Sequence, residues 1–107
     1  GCVGEPEDPA LFDFSARLAV SVWAERTRDP HLAALLDDNY KAIRTELVGL
    51  VQRWMAERVI DTPLSAEEAA EVIQHVAFGV LAEQAILGRC DLAAAGRQLG
   101  ALLGQGA

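Results

Sequence analysis

The sequence predicts an all-α protein, a single four-helix antiparallel bundle. Three observations lead there. Every apolar stretch repeats at three and four residues, and the alternating β-branched pattern of a strand is missing. Helix-start signatures recur at Asp8-Pro9, Asp29-Pro30, Ser65 and Asp91. Apolar residues make up 51% of the 107 positions, which rules out a disordered tail. A domain of this length can bury roughly 65% of the surface its unfolded chain exposes, so one core can be filled.

The first helix opens at Asp8-Pro9: the carboxylate can accept from free N–H groups of the first turn, and Pro lacks only an N–H that would go unpaired. Leu11, Phe14, Leu18 and Val22 form one stripe, and Phe12, Ala16, Ala19 and Trp23 an adjoining one. A stripe that broad predicts cover on more than one side. The helix runs to about Arg26-Thr27-Arg28. Asp29-Pro30 starts a long second helix, with Leu32, Leu36, Tyr40, Ile43, Leu47, Leu50, Trp54 and Arg58 at steps of three or four. Unbroken to Val59 it would be about 45 Å long. Asp37-Asp38-Asn39 is its weakest stretch, because short polar side chains compete for backbone hydrogen bonds, and a kink is expected there.

Residues 60–64 are a loop. Ser65-Ala66-Glu67-Glu68 is a capping box. The third helix has Ala69, Val72, Ile73, Val76, Ala77, Val80 and Leu81 on one face and His75, Phe78, Gly79, Ala82 and Ile86 on the other, with few charges after Glu71. Burial on nearly all sides is expected. Gly88 ends it as a left-handed cap. Asp91 caps the fourth helix, which carries Leu92, Ala95, Leu99, Leu102 and Leu103. Gly96, Gly100 and Gly104 flank that stripe; they mark either close approach by another helix or a frayed terminus. Residues 1–8 read as a flexible segment, 9–104 as the domain and 105–107 as tail.

Composition narrows the function. The net charge is −7 with only nine basic residues, and phosphate binding depends on clustered Lys and Arg. Arg26 and Arg28 come closest to a cluster and are flanked by Glu25 and Asp29. Specific binding of duplex DNA by these residues is not expected. No run of 18 uncharged apolar residues occurs, so no membrane span is expected, and Gly1-Cys2-Val3-Gly4 does not open like a signal peptide. The initial Gly fits a processed product or a fragment. Cys2 and Cys90 do not form a disulfide framework and read as reduced thiols of a cytoplasmic protein. No Cys or His spacing suits a metal, and no cofactor is called for. Enzyme signatures fail as well. Gly-x-Ser-x-Gly, a phosphate-cradling loop and His-Glu-x-x-His are missing, and Glu71 and His75 are one residue too far apart for the Glu-x-x-His of a di-iron bundle.

The passage Leu18-Ala19-Val20-Ser21-Val22-Trp23-Ala24-Glu25-Arg26-Thr27-Arg28-Asp29-Pro30 resembles the corresponding passage of TetR-family transcriptional regulators. Ala77-Phe78-Gly79-Val80-Leu81-Ala82-Glu83-Gln84-Ala85-Ile86-Leu87-Gly88 and Asp91-Leu92 resemble the last two helices of that family's C-terminal domain. The likeness covers about residues 9 to 103, and the order and lengths of the elements carry it more than any one motif. It implies the effector-sensing and dimerisation half of a repressor, without the helix–turn–helix unit and connecting helix that normally precede it. DNA would then be reached only through that N-terminal domain, and the pocket would lack one wall.

The resemblance also implies two sites. An effector pocket for a small apolar or amphipathic molecule would lie among the first three helices, with Leu18, Trp23, Tyr40, Ile73 and Ala77 as wall and Arg44 facing an acidic group. Read as an ordinary surface residue, Arg44 would instead pair with Asp37 or neighbours of Glu46, and the aromatics would be plain core. A homodimer interface would use His75, Gly79, Ala82, Glu83, Ile86, Leu92, Ala95, Leu99 and Leu103. The competing reading is a stand-alone helical module that binds another protein through its apolar faces.

Overall fold

The computed structural model describes residues 8–105. Its helices are α1 (Pro9–Glu25), α2 (Pro30–Ala56), α3 (Ala66–Leu87) and α4 (Leu92–Leu102). Every expected start signal is used. Asp8 accepts from the Leu11 N–H, Asp29 from those of His31 and Leu32, and Asp91 from that of Ala94. At α3 the capping box is complete: the Glu68 N–H donates to the Ser65 hydroxyl, and the Ser65 N–H donates back to the Glu68 carboxylate. Each cap occupies N–H groups that have no partner within the helix, a contribution of about 1 kcal/mol.

The helix ends are equally specified. α2 stops at Ala56, short of Val59, because Arg58 turns left-handed at φ 58°. The Arg58 N–H then donates to the Met55 carbonyl and the Val59 N–H to the Trp54 carbonyl, the bond pair that closes a Schellman cap. Gly104, at φ 70°, closes α4 in the same way through Ala101 and Gly100, and Gly88 ends α3 at φ 72°. Asp37-Asp38-Asn39 does not interrupt α2, which runs for 27 residues. The Asp37 carboxylate is taken up by Arg26 at 3.1 Å and does not compete for the backbone.

α3 is the helix against which α1, α2 and α4 all pack. Asp13 and Trp23 of α1 meet Gln84 and Phe78 of α3, so α1 runs antiparallel over the C-terminal half of α3. Tyr40, Arg44 and Val51 of α2 meet Phe78, Glu71 and Ala70 in turn, so α2 runs antiparallel over its N-terminal half. The first turns of α2 therefore overhang α3. The result is a slab of 42 × 35 × 18 Å with a radius of gyration of 15.3 Å, against about 13 Å for a compact domain of 100 residues.

The core is small and lies at the N-terminal end of α3: Val51, Ile60, Ala69, Ala70 and Leu103, with Leu47, Val48, Trp54, Met55, Leu64, Ile73 and Leu99 packed around it. Two expectations fail here. α3 is not buried on nearly all sides; its buried residues are Ala69, Ala70, Gln74 and Gln84, while Ala77 and Ile86 face outward. By length and composition alone α3 could cross a membrane, as can happen for the central helix of a helical domain. Nor is α1 covered on both stripes. The one containing Ala16 faces α3, and Leu11, Phe14 and Leu18 remain exposed, because no further described helix lies beyond them.

The glycines of the last helix also differ from the helix-contact expectation. A Cβ at Gly96 would meet open space, and one at Gly100 only the Gln105 side chain. At Gly104 it would fall on the Asp61 carbonyl. The close neighbour is thus the α2–α3 connection, whose Asp61 N–H donates to the Gly104 carbonyl at 3.0 Å. Gln105, expected as tail, forms an isolated antiparallel bridge with Ile60. Residues 1–7, including Cys2, and residues 106–107 lie outside the described residues. Cys90 is a free thiol; its burial, then the charges of Glu83 and Asp91, push its pKa up.

Candidate functional site

The V between the end of α1 and the overhanging start of α2 is floored by α3. It encloses a cleft of about 580 Å³ lined by Trp23 of α1 and its C-cap Arg26, by Leu36, Asp37, Asn39, Tyr40 and Ile43 of α2, and by Phe78, Gly79 and Ala82 of α3. That volume falls in the range of small-molecule sites, roughly 300–1,000 Å³.

Three aromatic rings, one from each helix, build the wall. Trp23 meets Phe78 edge to face, with centroids 4.9 Å apart. Tyr40 stacks on Phe78 at 5.6 Å, with 16° between the planes. Both arrangements satisfy the ring quadrupoles and fix the rings to one another. Phe78 can reach both because Gln74, Phe78 and Ala82 follow each other at steps of four, on the side of α3 that faces the V. A Cβ on Gly79 would meet nothing within 4 Å, which leaves the floor of the cleft open.

A polar cluster beneath holds Tyr40 in place. Arg44 donates through Nη2 to the Tyr40 hydroxyl at 2.7 Å and through Nε to the Gln74 side-chain oxygen. Its guanidinium carbon lies 5.2 Å from the Tyr40 ring centroid, and Nη1 reaches Glu71 at 3.5 Å. Gln74, only 3% exposed, completes the cluster by donating to the Tyr40 carbonyl at 3.2 Å. A buried amide in an apolar surrounding requires such partners. A second buried glutamine, Gln84, donates to Asp13 at 2.9 Å and ties α1 to α3. That bond, and then the Arg17 guanidinium, hold the Asp13 carboxyl below the usual carboxylate range.

This geometry sorts the residues expected from the sequence. Trp23 and Tyr40 line the cleft. Leu18 does not: it is 52% exposed and faces a separate outer groove with Phe14 and Arg17, one stripe away from Trp23. Ile73 packs against the core, and Ala77 is exposed on the outer side of α3. Arg44 is neither a cleft residue nor a surface partner of Asp37, since Asp37 is held by Arg26. Leu36, Ile43, Phe78 and the Arg26–Asp37 pair are additions. The fourfold spacing of Gln74, Phe78 and Ala82 was the available signal for Phe78.

Of the residues expected at a dimer interface, His75, Gly79, Glu83 and Ile86 form an exposed line along α3, and Leu92 and Ala95 are half-buried. Gly79 and Ala82 border the cleft as well. Leu103, 3% exposed, belongs to the chain's own core, and Leu99 packs on it. These two leucines are drawn inward because the Schellman cap at Gly104 brings the end of α4 against the 60–61 connection.

The sequence profile of the C-terminal domain of BetI-type transcriptional repressors matches residues 5–105. The chain belongs to this TetR-type family. The match spans all four helices and the cleft between the first three, so cleft, core and exposed α3 line all lie within the family domain. Neither the curated proteins nor the solved structures provide a match.

Proposed function

We propose that this TetR-type domain is the effector-sensing and dimerising part of a repressor, and that the cleft between α1, α2 and α3 takes a small apolar or amphipathic molecule. The observation that carries the reading is the aromatic wall of Trp23, Tyr40 and Phe78, contributed by three different helices. A molecule seated there touches all three at once, so its binding energy can bias how they sit relative to one another. A DNA-binding domain joined to this one would feel that bias; no catalytic role is assigned to the domain. Pairing with a second copy through α3 and α4 is supported by the exposed residues His75, Glu83 and Ile86 of α3, away from the cleft, and by the flat shape of the chain. A cytoplasmic location follows from the same role.

Tryptophan fluorescence tests the cleft. Trp54 packs against the core, away from the site, so Trp54→Phe leaves Trp23 as reporter. Titration with N-phenyl-1-naphthylamine, a neutral aromatic amphipath, should quench Trp23 saturably. Gly79→Leu, which places a side chain in open space on the cleft floor, should abolish the saturable phase without loss of helicity. Unsaturable quenching, or equal binding by the Gly79→Leu variant, contradicts the assignment.

A further inference from the structure

The cleft contains two charged groups, and they are paired with each other. Arg26 caps the C-terminal end of α1 and Asp37 stands on the overhang of α2, with Nη2 3.1 Å from the carboxylate. The other eight residues lining the cleft are uncharged. The wall is thus electrically balanced in a chain whose net charge is −7.

From this arrangement we infer that the Arg26–Asp37 pair selects against a ligand whose polar end is anionic and in favour of a neutral one that bonds to both side chains while its aromatic or aliphatic body lies against Trp23, Phe78 and Tyr40. The inference rests on the cleft being the effector site. Its physical basis is the cost of breaking the pair. An anionic head can engage the guanidinium fully only by displacing Asp37, which is then left beside a second negative charge. A neutral head bonds to the outward-facing atoms of both and leaves the pair intact. Like charges brought together and partners left unpaired are the usual means by which a site rejects a competitor. Both side chains are about half exposed, so the discrimination is moderate, about fivefold per charge.

Two dyes with the same aromatic body provide the probe: N-phenyl-1-naphthylamine is neutral, and 8-anilinonaphthalene-1-sulfonate adds one sulfonate. Both are titrated into the full chain, counting only binding that Gly79→Leu removes. The neutral dye should bind more tightly by about fivefold. Asp37→Asn, which leaves Arg26 uncompensated, should tighten the sulfonate dye by a similar factor and move the neutral dye by less than about twofold. Asp38→Asn makes the same change in net charge at an exposed position outside the cleft, and should alter neither. Equal affinity for the two dyes in the wild type, an unchanged sulfonate affinity in Asp37→Asn, or an equal effect from Asp38→Asn overturns the inference. If neither dye shows binding that Gly79→Leu removes, the effector-site reading falls and takes the inference with it; every other failure strikes the charge selection alone.

Discussion

Replacing Arg44 with methionine should lower the unfolding free energy by about 2–3 kcal/mol and weaken binding in the cleft, although Arg44 does not line it. The magnitude comes from what the guanidinium leaves behind. The Gln74 side-chain oxygen loses its donor at a position only 3% exposed, and the Tyr40 hydroxyl loses a 2.7 Å partner. A buried polar atom without a partner costs about 1–3 kcal/mol. The Glu71 contact adds little, because that carboxylate is half exposed. For a domain of this size the change corresponds to a fall in Tm of about 10 °C or more. Adding Gln74→Leu to Arg44→Met should recover part of the loss, since removing both polar partners removes the unsatisfied atom. Chemical denaturation of the two variants reads this directly. An Arg44→Met protein within about 0.5 kcal/mol of wild type, near the limit for an ordinary surface change, would show that the cluster is unimportant.

The other large effect concerns assembly. Ile86→Asp should convert the proposed dimer to a monomer at tens of micromolar while leaving helicity and Tm of the isolated protomer near those of the wild-type protomer. Ile86 is 73% exposed, so the single chain loses no buried contact when charge is placed there; the carboxylate in the last turn of α3 costs it only about 0.3–1 kcal/mol. Across a two-fold interface the carboxylate is desolvated twice, once per copy. At about 2 kcal/mol each, this weakens association roughly a thousandfold. Leu99 and Leu103 would be misleading sites for such a test, because a charge there enters the protomer's own core. Light scattering decides the matter: a wild-type monomer at tens of micromolar, or an Ile86→Asp protein of unchanged dimer mass, would place the interface elsewhere or remove it.

What could be read from the sequence is local. The four helix starts were legible because each depends on an Asp or Ser side chain within three residues of the N–H groups it caps. Gly88 was legible because glycine takes the left-handed conformation without a Cβ clash, whereas Arg58 was not, since a left-handed arginine carries no sequence mark. The order and lengths of the helices sufficed for the family. The sides of the helices were harder. Apolar periodicity marks both stripes of α1 equally, and only the position of α3 decides that Ala16 is inside while Phe14 remains 63% exposed. Gln74 and Gln84 read as surface residues in any apolar count. They are buried because Arg44, the Tyr40 carbonyl and Asp13 meet them from other helices. The cleft was half legible for a related reason. Trp23 and Tyr40 stood out as large aromatics, but the Arg26–Asp37 pair depends on how the turn at 26–29 folds α2 back against α1.

Ligands are proposed to enter between the three helices rather than along the outer groove of α1, whose volume of about 540 Å³ is comparable. Amide chemical-shift mapping of the ¹⁵N-labelled chain with N-phenyl-1-naphthylamine separates the two. Entry between the three helices gives saturable shifts at Trp23, Tyr40, Phe78, Gly79 and Ala82, with the residues around Phe14 and Leu18 unmoved. Shifts concentrated at Phe14, Arg17 and Leu18, with Phe78 and Gly79 unmoved, would contradict it.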